Sequence, residues 1–295
     1  MRSCTDIMKI KIIIENNPSP SDKDLLSEHG FSAWIGCGGK CYMMDVGATG
    51  KWSENALKIG VNVADVDYLI LSHGHIDHTG GLSTFLRLNT KAKVIASSKI
   101  DNYSYSSYRH IGKPHDLTPD KETLSKYRSR ISYIDSDDVI TDNMKLVYNS
   151  VSRYAVPYGN QFLKVCGVDQ KEHQYMADDE ISLALTTEKG LVIISSCSHC
   201  GILNIIESCC KSTGIHQVAA YIGGLHLIDN QGITGDNIKG IADVIRSKYP
   251  DMKLYAGHCT GSRAIEILSS ELGNQLETLY SGKEIEISSA TGQIF

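Results

Sequence analysis

At 295 residues, with 41% hydrophobic and 21% charged side chains, the chain can bury a sizeable core and has neither a disordered nor a collagen-like composition. A formal net charge of −5 and a pI near 6.1 give no global positive field, which disfavours nucleic acid as a partner and leaves room only for a local basic pocket. No apolar run approaches the ~20 residues that span a bilayer, and residues 1–14, interrupted by Lys9 and Lys11, lack a signal cleavage site. A cytoplasmic protein without membrane contact is expected, with 1–7 as a dispensable tail.

In chain order, the β-branched run 9–14 reads as a strand, 31–37 and 40–45 as a hairpin around Gly38-Gly39, and 67–71 as a strongly apolar strand. Between them, 53–59 has helical spacing, with Ser53 as its expected cap and Gly60 as its stop. The pattern loosens over about 99–179, which holds the tyrosines at 103, 105, 108, 127, 133, 148, 154, 158 and 175. This segment reads either as an inserted cap or lid over a site, or as body whose tyrosines pack and hydrogen-bond locally. Regularity returns with strands at 191–196, 218–223 and 253–256, separated by helices at 204–211 and 237–248. A single domain over 1–295 is expected, built of two sheets packed face to face with helices outside.

The count of nine cysteines is odd, and a chain of this length needs no disulfide framework, so reduced thiols are expected. Cys37-x3-Cys41 sits in the hairpin. Cys197-x2-Cys200 flanks His199, but two cysteines supply only half of a usual tetrahedral metal set.

The strongest signal is His73-Gly74-His75-Ile76-Asp77-His78-Thr79-Gly80-Gly81, directly after the apolar 67–71 run. Imidazole and carboxylate suit zinc, iron and manganese, and alternate positions on an extended turn can point His73 and His75 at one ion while Asp77 and His78 face another. Three further histidines end strand-like runs: His199, His226 and His258. Ligands gather beyond strand ends, so a shared metal site is expected there.

These residues resemble the metallo-β-lactamase superfamily: His73-x-His75-x-Asp77-His78 followed by Gly80-Gly81, with Asp45 ending an earlier strand in Met44-Asp45-Val46-Gly47. Cys197-Ser198-His199-Cys200-Gly201-Ile202, Gly223-Gly224-Leu225-His226-Leu227 and Gly257-His258-Cys259-Thr260-Gly261 look like its dihydropteroate-synthase-like branch. Some members of that branch are 7,8-dihydropterin-6-methyl-4-(β-D-ribofuranosyl)-aminobenzene-5′-phosphate synthases. The resemblance implies an α/β fold, the αββα four-layer sandwich, with a dinuclear site of two divalent metal ions at one edge, zinc first and iron or manganese as alternatives. By position, His73, His75 and His199 would bind the first metal and Asp77, His78 and His258 the second, with Asp45 orienting a ligating histidine. The superfamily's bridging aspartate has no counterpart in Ile194-Ser195-Ser196-Cys197, so Cys197, His199 or solvent must complete the site. His226 stands open between a substrate-facing catalytic group, a ligand and a core histidine.

The expected reaction is metal-assisted hydrolysis of a phosphoester or similar small substrate, with Asp77 and His226 as catalytic residues. Alternatives are a pterin-diphosphate-dependent transferase and a di-iron redox protein. The expected partner is a small molecule, phosphorylated or pterin-like. A homo-oligomer is left open.

Overall fold

The computed structural model describes residues 7–109, 112–229 and 232–288. Two seven-stranded sheets dominate. In spatial order the first contains Glu284–Ser288, Ile7–Ile14, Ser32–Cys37, Lys40–Met44, Tyr68–Ile70, Lys93–Ser97 and Ile131–Ile134. The second runs Leu276–Thr278, Lys253–Gly257, Val218–Gly224, Gly190–Ile194, Ile181–Thr187, Met144–Tyr148 and Asp138–Thr141. Pairing is parallel from Lys40–Met44 through Ile131–Ile134 and from Gly190–Ile194 through Leu276–Thr278, and antiparallel elsewhere.

Strand alternation sorts the side chains into three apolar layers. Tyr68 and Ile70 face the second sheet while Leu69 and Leu71 face outward, and in the second sheet Val192 and Ile194 face inward while Leu191 and Ile193 face outward. Ile10, Ile12, Met44, Ile70, Leu183, Val192, Ile194 and Ile222 thus form the core between the sheets. Helices Trp52–Lys58 and Leu82–Leu88 cover the first sheet with Trp52, Phe85 and Leu86, and Ile202–Thr213, Gly235–Lys248 and Ser262–Leu272 cover the second. Each fully buried isoleucine or leucine contributes about 1.5–3 kcal/mol, so these two-sided strands read as continuous apolar runs. The result is the four-layer αββα sandwich.

Two local expectations need correction or refinement. Ser53 does not cap the first helix; Lys51 occupies that place without a side-chain cap, and the Ser53 hydroxyl turns back to the Gly50 carbonyl. Segment 99–179 divides between layers: Ile131–Ile134 joins the first sheet, Asp138–Thr141 and Met144–Tyr148 join the second, and Ser104–Ser107, His115–Asp116, Leu163–Cys166 and Glu172–Gln174 form a separate four-stranded sheet. The Gly38-Gly39 hairpin is as expected, with both glycines at positive φ (59° and 71°), as a two-residue turn between right-twisted strands requires. The expected 1–7 tail lies outside the described residues apart from Ile7, which opens a strand. Among the described residues no helix is long and apolar enough to cross a membrane.

Candidate metal centre

The site is assembled where parallel strands of both sheets end. Asp45 follows Lys40–Met44, Ser72 to His78 follow Tyr68–Ile70, Cys197 and His199 follow Gly190–Ile194, His226 follows Val218–Gly224, and His258 follows Lys253–Gly257. The chain turns sharply at these ends: Asp45, Ser198, His226 and His258 hold φ of 59°, 59°, 52° and 50°, a region that costs a non-glycine residue energy and persists only where surroundings fix it.

Buried carboxylates hold backbone amides of the same loops. Asp45 accepts the Ser72 N–H at 2.7 Å, Asp179 the Gly74 N–H at 2.9 Å, and Glu180 the His199 and Cys200 N–H groups at 2.7 and 2.8 Å. Glu15 accepts the His258 and Asn17 N–H groups. Asp179 also accepts the hydroxyls of Tyr105 (2.6 Å) and Tyr175 (2.8 Å), whose rings pack on His75 from the small sheet. Burial pushes Glu15 and Glu180 up to about 7 against these hydrogen bonds.

Hydrogen-bond logic then assigns the ring nitrogens. The Asp45 carboxylate only accepts, so the Ser72 hydroxyl donates to it at 2.7 Å and must itself accept from His73 Nδ1 at 2.8 Å. His73 Nε2 is left as a bare lone pair. Asn160 donates through Nδ2 to the His199 carbonyl at 2.7 Å, so its Oδ1 accepts from His199 Nδ1 at 3.1 Å and His199 Nε2 is likewise bare. Asn16 Oδ1 already accepts the Gly30 N–H, so His258 donates Nδ1–H to it at 3.0 Å. His78 donates Nδ1–H to Asp45 at 2.8 Å.

Ring nitrogens converge in two groups. His73 Nε2 lies 3.0 Å from His75 Nδ1 and 3.2 Å from His199 Nε2. His78 Nε2 lies 3.1 Å from His258 Nε2, and Asp77 Oδ2 is 3.5 and 3.4 Å from those two nitrogens. Cys197 Sγ, 3.5 Å from His78 Nε2, falls within both a His73–His199 group and a His78–His258 group of atoms lying within 4.8 Å of one another. The thiol therefore occupies the middle, where no carboxylate is available. Cys200 does not share it; its sulfur faces the Ala177 carbonyl at 3.6 Å, and Cys197 instead neighbours Cys259, Sγ to Sγ 3.3 Å.

These residues fit a metal ion. Burial holds His73 and His199 neutral, well below the usual histidine range, so two lone pairs face each other at 3.2 Å, an arrangement that a cation would satisfy. Tetrahedral zinc with ~2.0–2.1 Å bonds to nitrogen places its ligand atoms about 3.3 Å apart, close to these separations. Burial likewise lowers His75 to about 3 and His258 to about 4. Burial opposes charge on Asp77 too, but the charge of the neighbouring His78 outweighs it and holds the carboxyl well below its usual range. His78 is the exception: burial lowers it, yet Asp77 and Asp45 prevail and raise it to about 10, and its proton is the one a bound cation would replace.

His226 stands beside these two groups and forms a third with Cys197 and Cys259, whose ligand atoms lie within 4.8 Å of one another. Its ring lies 4.1 Å from that of His199, its Nε2 accepts from Arg109 Nη2 at 2.8 Å, and its Nδ1 is buried without a partner. Sequence reasoning passed over His29, whose Nε2 is 3.3 Å from Asp77 Oδ2, and Asn16, Asn160, Glu15, Asp179 and Glu180. A signal existed for Glu15, a lone carboxylate ending an apolar run as Asp45 does; nothing in the local sequence marks the two asparagines.

Residues 28–148 match the family model of the metallo-β-lactamase superfamily. The 7,8-dihydropterin-6-methyl-4-(β-D-ribofuranosyl)-aminobenzene-5′-phosphate synthase of Methanocaldococcus jannaschii is 30% identical over 250 residues, 79% of either chain. An uncharacterised protein of the same organism is 29% identical over 266 residues, covering 88% of this chain and 93% of its own. Among solved structures, a metal-dependent hydrolase of the β-lactamase superfamily superimposes with a TM-score of 0.78 at 26% identity over 96% of this chain and 100% of the other. Strand order, the two histidine groups and these likenesses agree: the chain belongs to the metallo-β-lactamase superfamily.

Proposed function

We propose that this chain is a dinuclear metal-dependent hydrolase acting on a small phosphoester. The observation that carries the reading is the pair of converging donor groups, His73–His75–His199 and Asp77–His78–His258, with the Cys197 thiol between them. Two divalent ions held there, zinc first and iron or manganese as alternatives, supply an acidified water and a clamp on the attacking and leaving oxygens. The protein contributes the rest. Asp45 and Ser72 fix the tautomers of His78 and His73, Asn160 and Asn16 fix those of His199 and His258, and the buried carboxylates hold the loops. His226, neutral because burial and the neighbouring Arg109 charge both oppose its protonation, serves as a hydrogen-bond donor to a substrate oxygen rather than as a source of a full proton. Tyr105 and Tyr175 keep His75 in place and exclude water from its flank.

A second reading, transfer of a pterin unit from its diphosphate ester, draws support from the 30% identical synthase. Both reactions require the same site to hold a phosphorylated group, and they differ in whether water or an aromatic acceptor attacks. Metal analysis of the anaerobically purified protein and of Asp77→Ala, with hydrolysis of bis-p-nitrophenyl phosphate, tests the first. Near two metals per chain, with turnover lost in the variant, is expected. Two metals without turnover would move the weight to the transferase, and an Asp77→Ala protein with full metal and full activity would sink the reading.

A further inference from the structure

Arg109 follows the Ser104–Ser107 strand of the small sheet and reaches the His226 ring, Nη2 to Nε2 2.8 Å. Among the described residues its buried Nε has no hydrogen-bond partner, and the buried Nδ1 of His226, a residue 2% exposed, has none either. A guanidinium cannot give up its proton under ordinary conditions, so its charge is permanent. Among the described residues no carboxylate forms an ion pair with it. The acids nearest the metal groups are committed elsewhere: Asp45 to Ser72 and His78, Asp179 to Gly74, Tyr105 and Tyr175, Glu180 to the amides of His199 and Cys200, and Glu15 to those of Asn17 and His258.

A partly buried, unpaired cation beside a place suited to two more cations is electrostatically unfavourable unless an anion completes it. The ligand set itself brings one carboxylate, Asp77, and one thiol, Cys197. Two divalent ions would therefore leave excess positive charge, which Arg109 increases. Its remaining N–H groups form the planar fork that matches two oxygens of a phosphoryl group. We infer that Arg109 is the residue that selects the substrate: it binds the non-bridging oxygens of a terminal phosphate or diphosphate, beside a donor from His226, so that the site takes polyanionic phosphoryl compounds in preference to uncharged esters. This rests on the two-metal reading above and names the substrate charge that reading left open. Arg109 acts on ground-state binding, so its loss raises KM for a phosphomonoester or diphosphate more than it lowers kcat.

The test uses the cobalt-loaded full chain and inorganic diphosphate as probe. Affinity is followed calorimetrically for the wild type, Arg109→Gln, Arg109→Lys and the exposed control Arg153→Gln, with metal content and the cobalt spectrum of the diphosphate-free protein recorded on the same samples. Arg109→Gln is expected to weaken diphosphate binding roughly 10- to 100-fold, the range for hydrogen bonds to charged groups, with two metals and the cobalt spectrum retained. Arg109→Lys keeps the charge without the fork and falls between; Arg153→Gln binds as wild type. Two metals retained with unchanged diphosphate affinity in both Arg109 variants overturns this inference alone. A wild type that takes up no metal overturns the two-metal reading and this inference with it.

Discussion

A thiol between two candidate metal-binding groups differs from a carboxylate in softness as well as charge. Burial pushes the Cys197 thiol well above its usual range in the metal-free chain, and only a cation beside it makes a thiolate stable there. In the cobalt-loaded protein, the wild type is expected to show a thiolate-to-cobalt charge-transfer band in the near ultraviolet. Cys197→Ser should lose that band while keeping the visible bands of histidine-coordinated cobalt; a Cys197→Ser protein with the band intact would remove the sulfur from the ligand set. At this scale the sequence was informative where chemistry is local. Seven ligand-type side chains, His73, His75, Asp77, His78, His199, His226 and His258, stand out by their places after apolar runs, and Cys197 is one of three replacements for the missing aspartate that the sequence leaves open. The partners that set the tautomers were not identifiable, because Asn160 meets His199 and Asn16 meets His258 across 39 and 242 residues of chain.

Among the elements, the short helix Ile76–Thr79 places Asp77 and His78 on adjacent faces of the site, and its depth depends on Gly80-Gly81. A Cβ on Gly80 would stand 2.0 Å from the Ala48 carbonyl oxygen, and one on Gly81 2.1 Å from that of Val46. Gly80→Ala must therefore push the helix off the loop after Lys40–Met44. The expected cost is about 1–3 kcal/mol or more of stability, together with weakened metal retention, measured by thermal denaturation and elemental analysis. Gly80-Gly81 was visible in the sequence as a motif, and the structure supplies its steric reason. The division of residues 99–179 among three sheets was not visible, since strand pairing there joins Ile131–Ile134 to Lys93–Ser97 and Leu163–Cys166 to Ser104–Ser107, contacts that no local pattern encodes. Of the tyrosines in that segment, Tyr105 and Tyr175 are buried against His75, whereas Tyr108 and Tyr158 stay exposed at 40% and 50%.

For the molecule as a whole, the balance of buried titratable groups sets an acid limit. His73, His75, His199, His226 and His258 are all held neutral, below their ordinary value of 6.5, chiefly by burial. The unfolded chain takes up protons on them as pH falls below about 6.5 and the folded chain does not, so stability drops through that window. Glu15 and Glu180, raised by burial to about 7 from 4.5, and Asp179, raised by burial from 3.8, act in the opposite sense, but they are three against five. His78, raised to about 10, adds stability that is complete below pH 6.5 and disappears as pH climbs through 10. The metal-free protein should therefore melt at progressively lower temperature from pH 6.5 to pH 4; a flat or rising profile would contradict the neutral assignment of these rings.

The amide-to-carboxylate tethers bear on how the centre is filled. Glu15 holds the His258 loop across 243 residues and Asp179 holds Gly74 across 105, and neither bond involves an ion. The loops are thus positioned by the polypeptide before any metal arrives, and an ion entering or leaving need not wait for the backbone to rearrange. Occupancy then becomes a matter of supply and exchange: a chelator is expected to leave the frame standing, with far-ultraviolet circular dichroism unchanged after treatment, and the cation recovered on purification is expected to follow the metal supplied in the growth medium.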